Sequence, residues 1–575
     1  MLVVINRRWR ESQFTRTKMS LYQTLLRQYA DALLTHQFES EDPSLNGGMF
    51  CDSCKTIHGR CIDAIYGLSI AYKVFHDERY LKGAKKLLRY SSNLICADGG
   101  IYNDLQTTWR FTTVFFVIDL VETLLQAKDV LPASFVKELE DHLKNHANWL
   151  YLNLDEHSKT NINYPINNAL AMYLAGSYLH KEKYLERGRS LADYAMKHVS
   201  VSYLLMGEGK PHDKVTKRGC NAIDIGYNME ESLPALVKYA CYSKNEAMLQ
   251  KLLKVCQAHL DFILPDGAID NSFGCRNYKW TYYGSRTCDG IIPMCLILGK
   301  YDDRFLEAAY RNLKILAKCS PKGMLEGGPD YFEHGEKACT HHTFEHMNAI
   351  AFAFSDFEEK DLFSKNEKIP SDSTYFKYYP EMDAYRFGEK KYLFDISCYD
   401  ENISYSGHAS GATITMLYSR KNGPVIMGSV GDYQLTESTN MQVPLDTEKH
   451  RPLLPRFEIV KDGKLYSSAY FTETKKLDEK KLLFESGLMT REGEKLLGSD
   501  FVYEYIRQEK SLVIRISHLG LDLPFLLPLI QGEVKIHKGK LLKEEGIFFL
   551  TPGFKAKEYQ VAANEGEIEI EILDL

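Results

Sequence analysis

The chain has 575 residues, of which 44% are hydrophobic and 26% charged, with a formal net charge of −6. That length exceeds one ordinary core and predicts two large domains in the composition range of soluble globular proteins. A mild negative charge without a basic stripe excludes the electrostatic footprint of a nucleic-acid binder, and no stretch is apolar for the length of a membrane span.

The opening MLVVINRRWRESQFTRTK sets a short apolar run ahead of arginines, the reverse of a secretory signal. Residues 1–18 are therefore expected to be an extension, and the protein cytoplasmic. Thirteen cysteines, an odd number scattered along helical patterns, read as reduced, buried thiols. Cys51, Cys54, His58 and Cys61 are grouped closely enough to resemble a zinc knuckle. Their spacing is tighter than in the usual structural sites, and Gly47, Gly48 and Gly59 mark a sharp loop. No metal or other cofactor is expected.

From Met19 to about Phe357 the pattern is helical and repeats in pairs roughly every fifty to sixty residues, the signature of a repeated helical hairpin. One member of each pair, such as DERYLKGAKKLLRYSSNLI or DDRFLEAAYRNLKILAKCS, has a charged face and belongs outside. The other, such as TTVFFVIDLVETLL or NNALAMYLAGSYL, carries few charges and belongs inside. Five such pairs, plus the helix following CTHHTFEH paired with the one from Met19 to Phe38, make six hairpins. They predict an α/α barrel over residues 19–357. After a polar linker at 358–375, short alternating runs such as GATITMLYSR and EIEIEILDL predict an antiparallel β-sandwich over 376–575.

The loops entering the inner helices are SCKTIHGR, LQTTWRF, TNINYPINN, DIGYNMEES, KWTYYGSRTCDG and CTHHTFEH. They are rich in aromatic, histidine, arginine and amide side chains, whereas the outer-helix entries HDERY and YDDRF are plain turn and cap sequences. This asymmetry predicts one ligand-binding funnel lined by Trp109, Asn163, Tyr164, Tyr227, Arg276, Trp280, Tyr282, Arg286, His341 and His342. Pro234 fits a helix only in its first turn, so a helix is expected to begin between Glu230 and Leu233, with Glu230 and Glu231 at its rim. Asp224, Glu230 and, in reserve, Glu208 are candidate catalytic carboxylates, because glycoside hydrolysis needs a paired acid and base. Arg276 and Arg286 suit a sugar carboxylate, and Trp280 a sugar face. Around His408 and Asn440 the sandwich loops are polar enough to reach the funnel.

In architecture the chain resembles heparinase-like polysaccharide lyases. Its motifs GEG, DIGYNMEESLPAL, PDGAIDNSFGCRNYKWTYYGSRTCDG and CTHHTFEH resemble six-hairpin glycosidases, particularly bacterial β-glucuronidases. That resemblance implies a hydrolase releasing β-glucuronic acid from an acidic oligosaccharide in the cytoplasm, with the oligomeric state open. The alternative is a lyase cleaving uronic-acid glycans by β-elimination, with Tyr227 or His341 as base and acid and an asparagine or arginine stabilising the enolate. A non-catalytic glycan binder is the third reading, and Glu230→Gln would leave its affinity intact.

Overall fold

The computed structural model describes residues 19–104, 107–158, 160–209, 215–355, 357, 362–401, 408–430 and 452–575. The extension expected at 1–18, the loop at Asn440 and part of the linker expected at 358–375 lie outside the described residues.

Among the described residues, twelve helices of seven residues or more build the N-terminal part. They are α1 (Leu21–Thr35), α2 (Ala64–Phe75), α3 (Glu78–Tyr90), α4 (Thr113–Ala127), α5 (Ala133–Asn153) and α6 (Asn163–Leu179). The second six are α7 (Glu182–Met196), α8 (Leu233–Tyr242), α9 (Glu246–His259), α10 (Ile292–Leu298), α11 (Asp303–Lys318) and α12 (Thr340–Ala351). Even-numbered helices pack each against the next, and α12 returns to α2, so the inner ring closes. Odd-numbered helices lie outside it, with α1 against α12.

Local chemistry explains which helix goes where. Four of the six outer helices start on side-chain caps: Ser20 accepts from Gln23 N, Asp77 from Arg79 N, Asn245 from Met248 N and Asp302 from Arg304 N. In α3 only one face is buried, through Tyr80, Leu81, Ala84, Leu87 and Leu88. Inner α4 is buried nearly all round, including Asp119 and Glu122. Among the described residues, no helix is long and apolar enough to cross a membrane.

Strands take over from Tyr375. Five consecutive strands, Tyr375–Tyr379, Ala384–Gly388, Tyr392–Ser397, Thr413–Ser419 and Gly423–Met427, form an antiparallel sheet in sequence order. One face of this sheet, with Ala384, Leu393 and Met416, joins the barrel core. The other, with Tyr385, Phe394 and Ile414, packs on the second layer. A six-stranded antiparallel sheet, centred on Phe501–Arg507, Leu512–Ser517 and Ile568–Leu573, supplies that layer. The expected barrel-plus-sandwich architecture is therefore the observed one.

The helix expected to start at Glu230 is built differently. After a short turn at Ile225–Tyr227, residues Asn228–Ser232 form a π-helical turn that runs into α8, with Pro234 in its first turn. The wider turn carries Glu230 and Glu231 inside the protein, where they are 0% and 2% exposed, rather than onto the rim.

Candidate functional site

Side chains from described residues of all six inner-helix lead-ins are linked to one another at one end of the barrel. At its mouth the half-buried Trp109 donates from Nε1 to the Tyr164 hydroxyl at 2.9 Å, with ring centroids 5.4 Å apart. Burial, and then the neighbouring Glu231, push the Tyr164 phenol up to about 12 against the pull of Trp109, Arg60 and Arg276. The Arg276 guanidinium lies 3.6 Å above the Tyr227 ring and pairs with the buried Glu208. The Tyr227 hydroxyl sits between Lys279 Nζ at 3.0 Å and Thr287 Oγ1 at 2.9 Å. Burial, and then the neighbouring Cys288 and Glu231, hold the Tyr227 phenol well above its usual pKa, so it stays protonated at neutral pH.

Deeper in, Asn163 Nδ2 donates to Glu231 at 2.5 Å. Arg60 pairs with Asp63 at 2.8 Å and Glu345 at 2.7 Å, with Asp289 3.8 Å away. Glu345 in turn lies 3.2 Å from His341 Nε2. Burial and the Arg60 charge hold His341 well below the usual imidazole pKa, leaving it neutral. An axial cavity continues inward between Asp119, Asn167, Glu231, Lys238, Asp289 and Glu345.

Other predicted residues are drawn into the framework. Asp224 is 0% exposed, caps the Ile225–Tyr227 turn through Tyr227 N at 3.0 Å, and accepts from Arg276 N at 2.9 Å. Glu230 accepts from Ser285 N at 2.5 Å and lies 3.4 Å from His346 Nε2. Burial raises the pKa of both carboxyls. Trp280, expected to stack on a sugar, is core: it is 0% exposed and donates to Ile269 O at 2.7 Å. Tyr282 is bonded to Asp266 and packs edge-on against Phe554 at 4.8 Å. Arg286 turns toward the sandwich, reaching Tyr331 and Leu550 O. His342 meets the Tyr283 hydroxyl at 3.2 Å. His408 stacks on Tyr399 at 4.2 Å, and burial lowers its pKa to about 3.

Sequence reasoning passed over Arg60, Asp119 and Lys279. Asp119 gives no local signal within an apolar helix, but Lys279 and Arg60 both lie in the singled-out lead-ins. The zinc-knuckle grouping changes by one member. Cys51, Cys54 and His58 come together with Cys339, while Cys61 is buried apart from them, its thiol pushed up to about 12 by burial. None of the thirteen cysteines forms a disulfide.

Residues 26–372 match the family model of the ulvan lyase N-terminal domain, and residues 376–537 that of the ulvan lyase C-terminal domain. The chain belongs to the ulvan lyase family. It is 30% identical over 569 residues to a broad-specificity ulvan lyase of Formosa agariphila, covering 94% of this chain and 88% of that protein. Among solved structures, the chondroitin AC lyase of Streptomyces coelicolor A3, in complex with chondroitin sulphate, matches with a TM-score of 0.54. The match covers 98% of this chain and 80% of that one at 9% identity, and so shows a shared fold.

Membership of the ulvan lyase family overturns the expected hydrolase, glycosidase and glucuronidase reading and favours the elimination alternative. The physical reason for the misreading is visible in the carboxylates that carried it. Asp224 and Glu230 are sealed against backbone amides and Glu208 against an arginine, and such framework roles use the same residue types as acid–base catalysis.

Proposed function

We propose that this chain is a polysaccharide lyase that cleaves ulvan, an acidic glycan, by β-elimination beside a uronic acid. In that reaction the proton on the carbon bearing the carboxylate is removed, the glycosidic C–O bond breaks, a carbon–carbon double bond forms, and the leaving oxygen takes a proton. No water is consumed. Negative charge grows on the carboxylate during proton removal, so the step needs cations or amide donors aimed at it.

The observation that carries this reading is the Tyr227 phenol, held between Lys279 Nζ and Thr287 Oγ1 with the Arg276 guanidinium over its ring. Arg276 and Lys279 supply positive charge for the carboxylate and the developing enolate. Tyr227, protonated at neutral pH, is the group suited to hand a proton to the leaving oxygen. His341, beside Glu345 at 3.2 Å, is the imidazole placed to act as the base, although burial and Arg60, which keep it neutral, also lower its basicity. Trp109 and Tyr164 offer aromatic faces at the mouth for neighbouring sugars.

The test is incubation of the purified protein with ulvan, following ultraviolet absorbance and product mass. Elimination gives an absorbing product with unsaturated uronate ends and no added water. Tyr227→Phe is expected to lower turnover by about 10²–10⁴-fold while leaving thermal unfolding close to wild type. Products carrying an added water, or full activity in Tyr227→Phe, would defeat the proposal.

A further inference from the structure

Cys51 and Cys54 sit on a small hairpin, Phe50–Cys51 paired with Thr56–Ile57, in the long connection from α1 to α2. His58 follows it and Cys339 immediately precedes α12, 288 residues from Cys51. Sequence spacing alone cannot join them, because the fourth member arrives only when the last hairpin of the barrel meets the first.

We propose that Cys51, Cys54, His58 and Cys339 form a structural zinc site that fastens the α2 lead-in to the N-terminus of α12. All four are buried, and their donor atoms lie within 4.8 Å of one another. A tetrahedral zinc with Zn–S bonds of about 2.3 Å puts its sulfurs about 3.8 Å apart. The Cys51 and Cys339 sulfurs are 3.6 Å apart, and those of Cys54 and Cys339 3.9 Å.

Two further features point to a ligand rather than to a packed thiol cluster. The hairpin wraps the Cys51 sulfur: Cys54 N donates to it at 3.4 Å, Lys55 N closes the turn on Cys51 O at 2.8 Å, and Lys55 takes a left-handed φ of 57°. An amide aimed at sulfur is a donor suited to a thiolate. In addition, His58 is 3% exposed and lies against the Cys51 and Cys339 thiols, while its buried Nε2 has no partner at good hydrogen-bonding geometry. A metal satisfies that atom. Cys339 also stands at the N-cap of α12, where the helix dipole favours a thiolate.

Three cysteines and one histidine fill all four positions of a tetrahedral zinc and leave none open for substrate, which makes the site structural. Its placement gives it a consequence for the funnel. The His58 ring lies 5.5 Å from that of His341, which stands two residues after Cys339 and pairs with Glu345. Fixing Cys339 therefore fixes the start of the helix that presents His341, Glu345 and His346.

The intact protein is loaded with zinc chloride, desalted and assayed for metal by mass spectrometry. About one zinc per chain is expected, against at least tenfold less in Cys54→Ser and Cys339→Ser. Cys61→Ser, a change in the same stretch but outside the donor set, is expected to retain the full amount. Cobalt loading is expected to give the intense visible bands of tetrahedral thiolate ligation. Should the serine variants fail to fold, the wild-type protein answers the question: titrating its thiols with an organomercurial in the presence of a zinc-sensitive dye releases the metal as the ligand thiols react. A zinc-loaded, desalted wild type without bound zinc would overturn the proposal. So would a disulfide between any two of the three cysteines, or loss of zinc in Cys61→Ser alone.

Discussion

Glu231 shows how a single residue couples the folding of this site to pH. Its carboxyl is buried, and burial first and Asp289 second push its pKa up to about 8 against the pull of Asn163, Arg60 and Lys279. Asp63 is pushed up to about 6 by burial, and Asp119 and Glu345 move in the same direction. An acid whose folded pKa exceeds its unfolded value of about 4.3 keeps a proton that the unfolded chain releases. Its stabilising contribution is complete below the unfolded pKa and is lost as pH rises to about 8. The wild-type unfolding midpoint is thus expected to fall between about pH 5 and about pH 8, and Glu231→Gln to make that fall shallower. Equal slopes in the two proteins would show that Glu231 is already ionised when folded. A protonated Glu231 also removes one negative charge that an acidic glycan would have to face.

Among the elements, the hairpin Trp280–Thr281/Gly284–Ser285 and the π-helical turn Asn228–Ser232 depend on each other. Ser285 N holds the Glu230 carboxylate, and a Cβ added at Gly284 would overlap that carboxylate. Gly284→Ala is therefore expected to force Glu230 off Ser285 and His346 and to cost about 1–3 kcal/mol as an overpacked core. Chemical denaturation measures it, and an unchanged midpoint would mean that Glu230 has room to move. This pairing was invisible in the sequence, since the glycine and the glutamate lie in different lead-ins.

The helices themselves were legible because outer and inner members differ in charge, as α3 and α4 show by their burial. The funnel was legible for a similar reason, the polar enrichment of one class of loop. Less legible were strands with mixed signals: Phe525–Leu529 contains Pro528, and Lys475–Asp478 is short and largely exposed. The role of each polar residue was hardest to read, because Trp280 and Trp109 look alike until one is found in the core and the other at the mouth.

At the scale of the molecule, barrel and sandwich share a buried charge triad. Arg386 of the first sheet is 0% exposed and pairs with Asp270 of the barrel at 2.9 Å and with Asp395 of its own sheet at 3.4 Å. Its guanidinium also lies 4.5 Å from the Phe262 ring. Asp270 stands in the stretch that leads to Asn271, whose side chain accepts from Gly226 N at 2.8 Å beside Tyr227. The seam thus runs to within a few residues of the proposed proton donor. Three ionisable groups out of water are costly to desolvate, with burial pushing the Asp395 carboxyl well above its usual pKa, so removing one partner should cost more than replacing the set. Arg386→Ala leaves two buried acids without their cation and is expected to lose about 3–5 kcal/mol in chemical denaturation. Replacing Arg386 by Met together with Asp270 and Asp395 by Leu is expected to recover most of that loss, because the apolar set no longer carries uncompensated charge. If Arg386→Ala unfolds like the wild type, the triad does not hold the seam, and the apolar contacts of Leu393 and Met416 with the barrel core suffice.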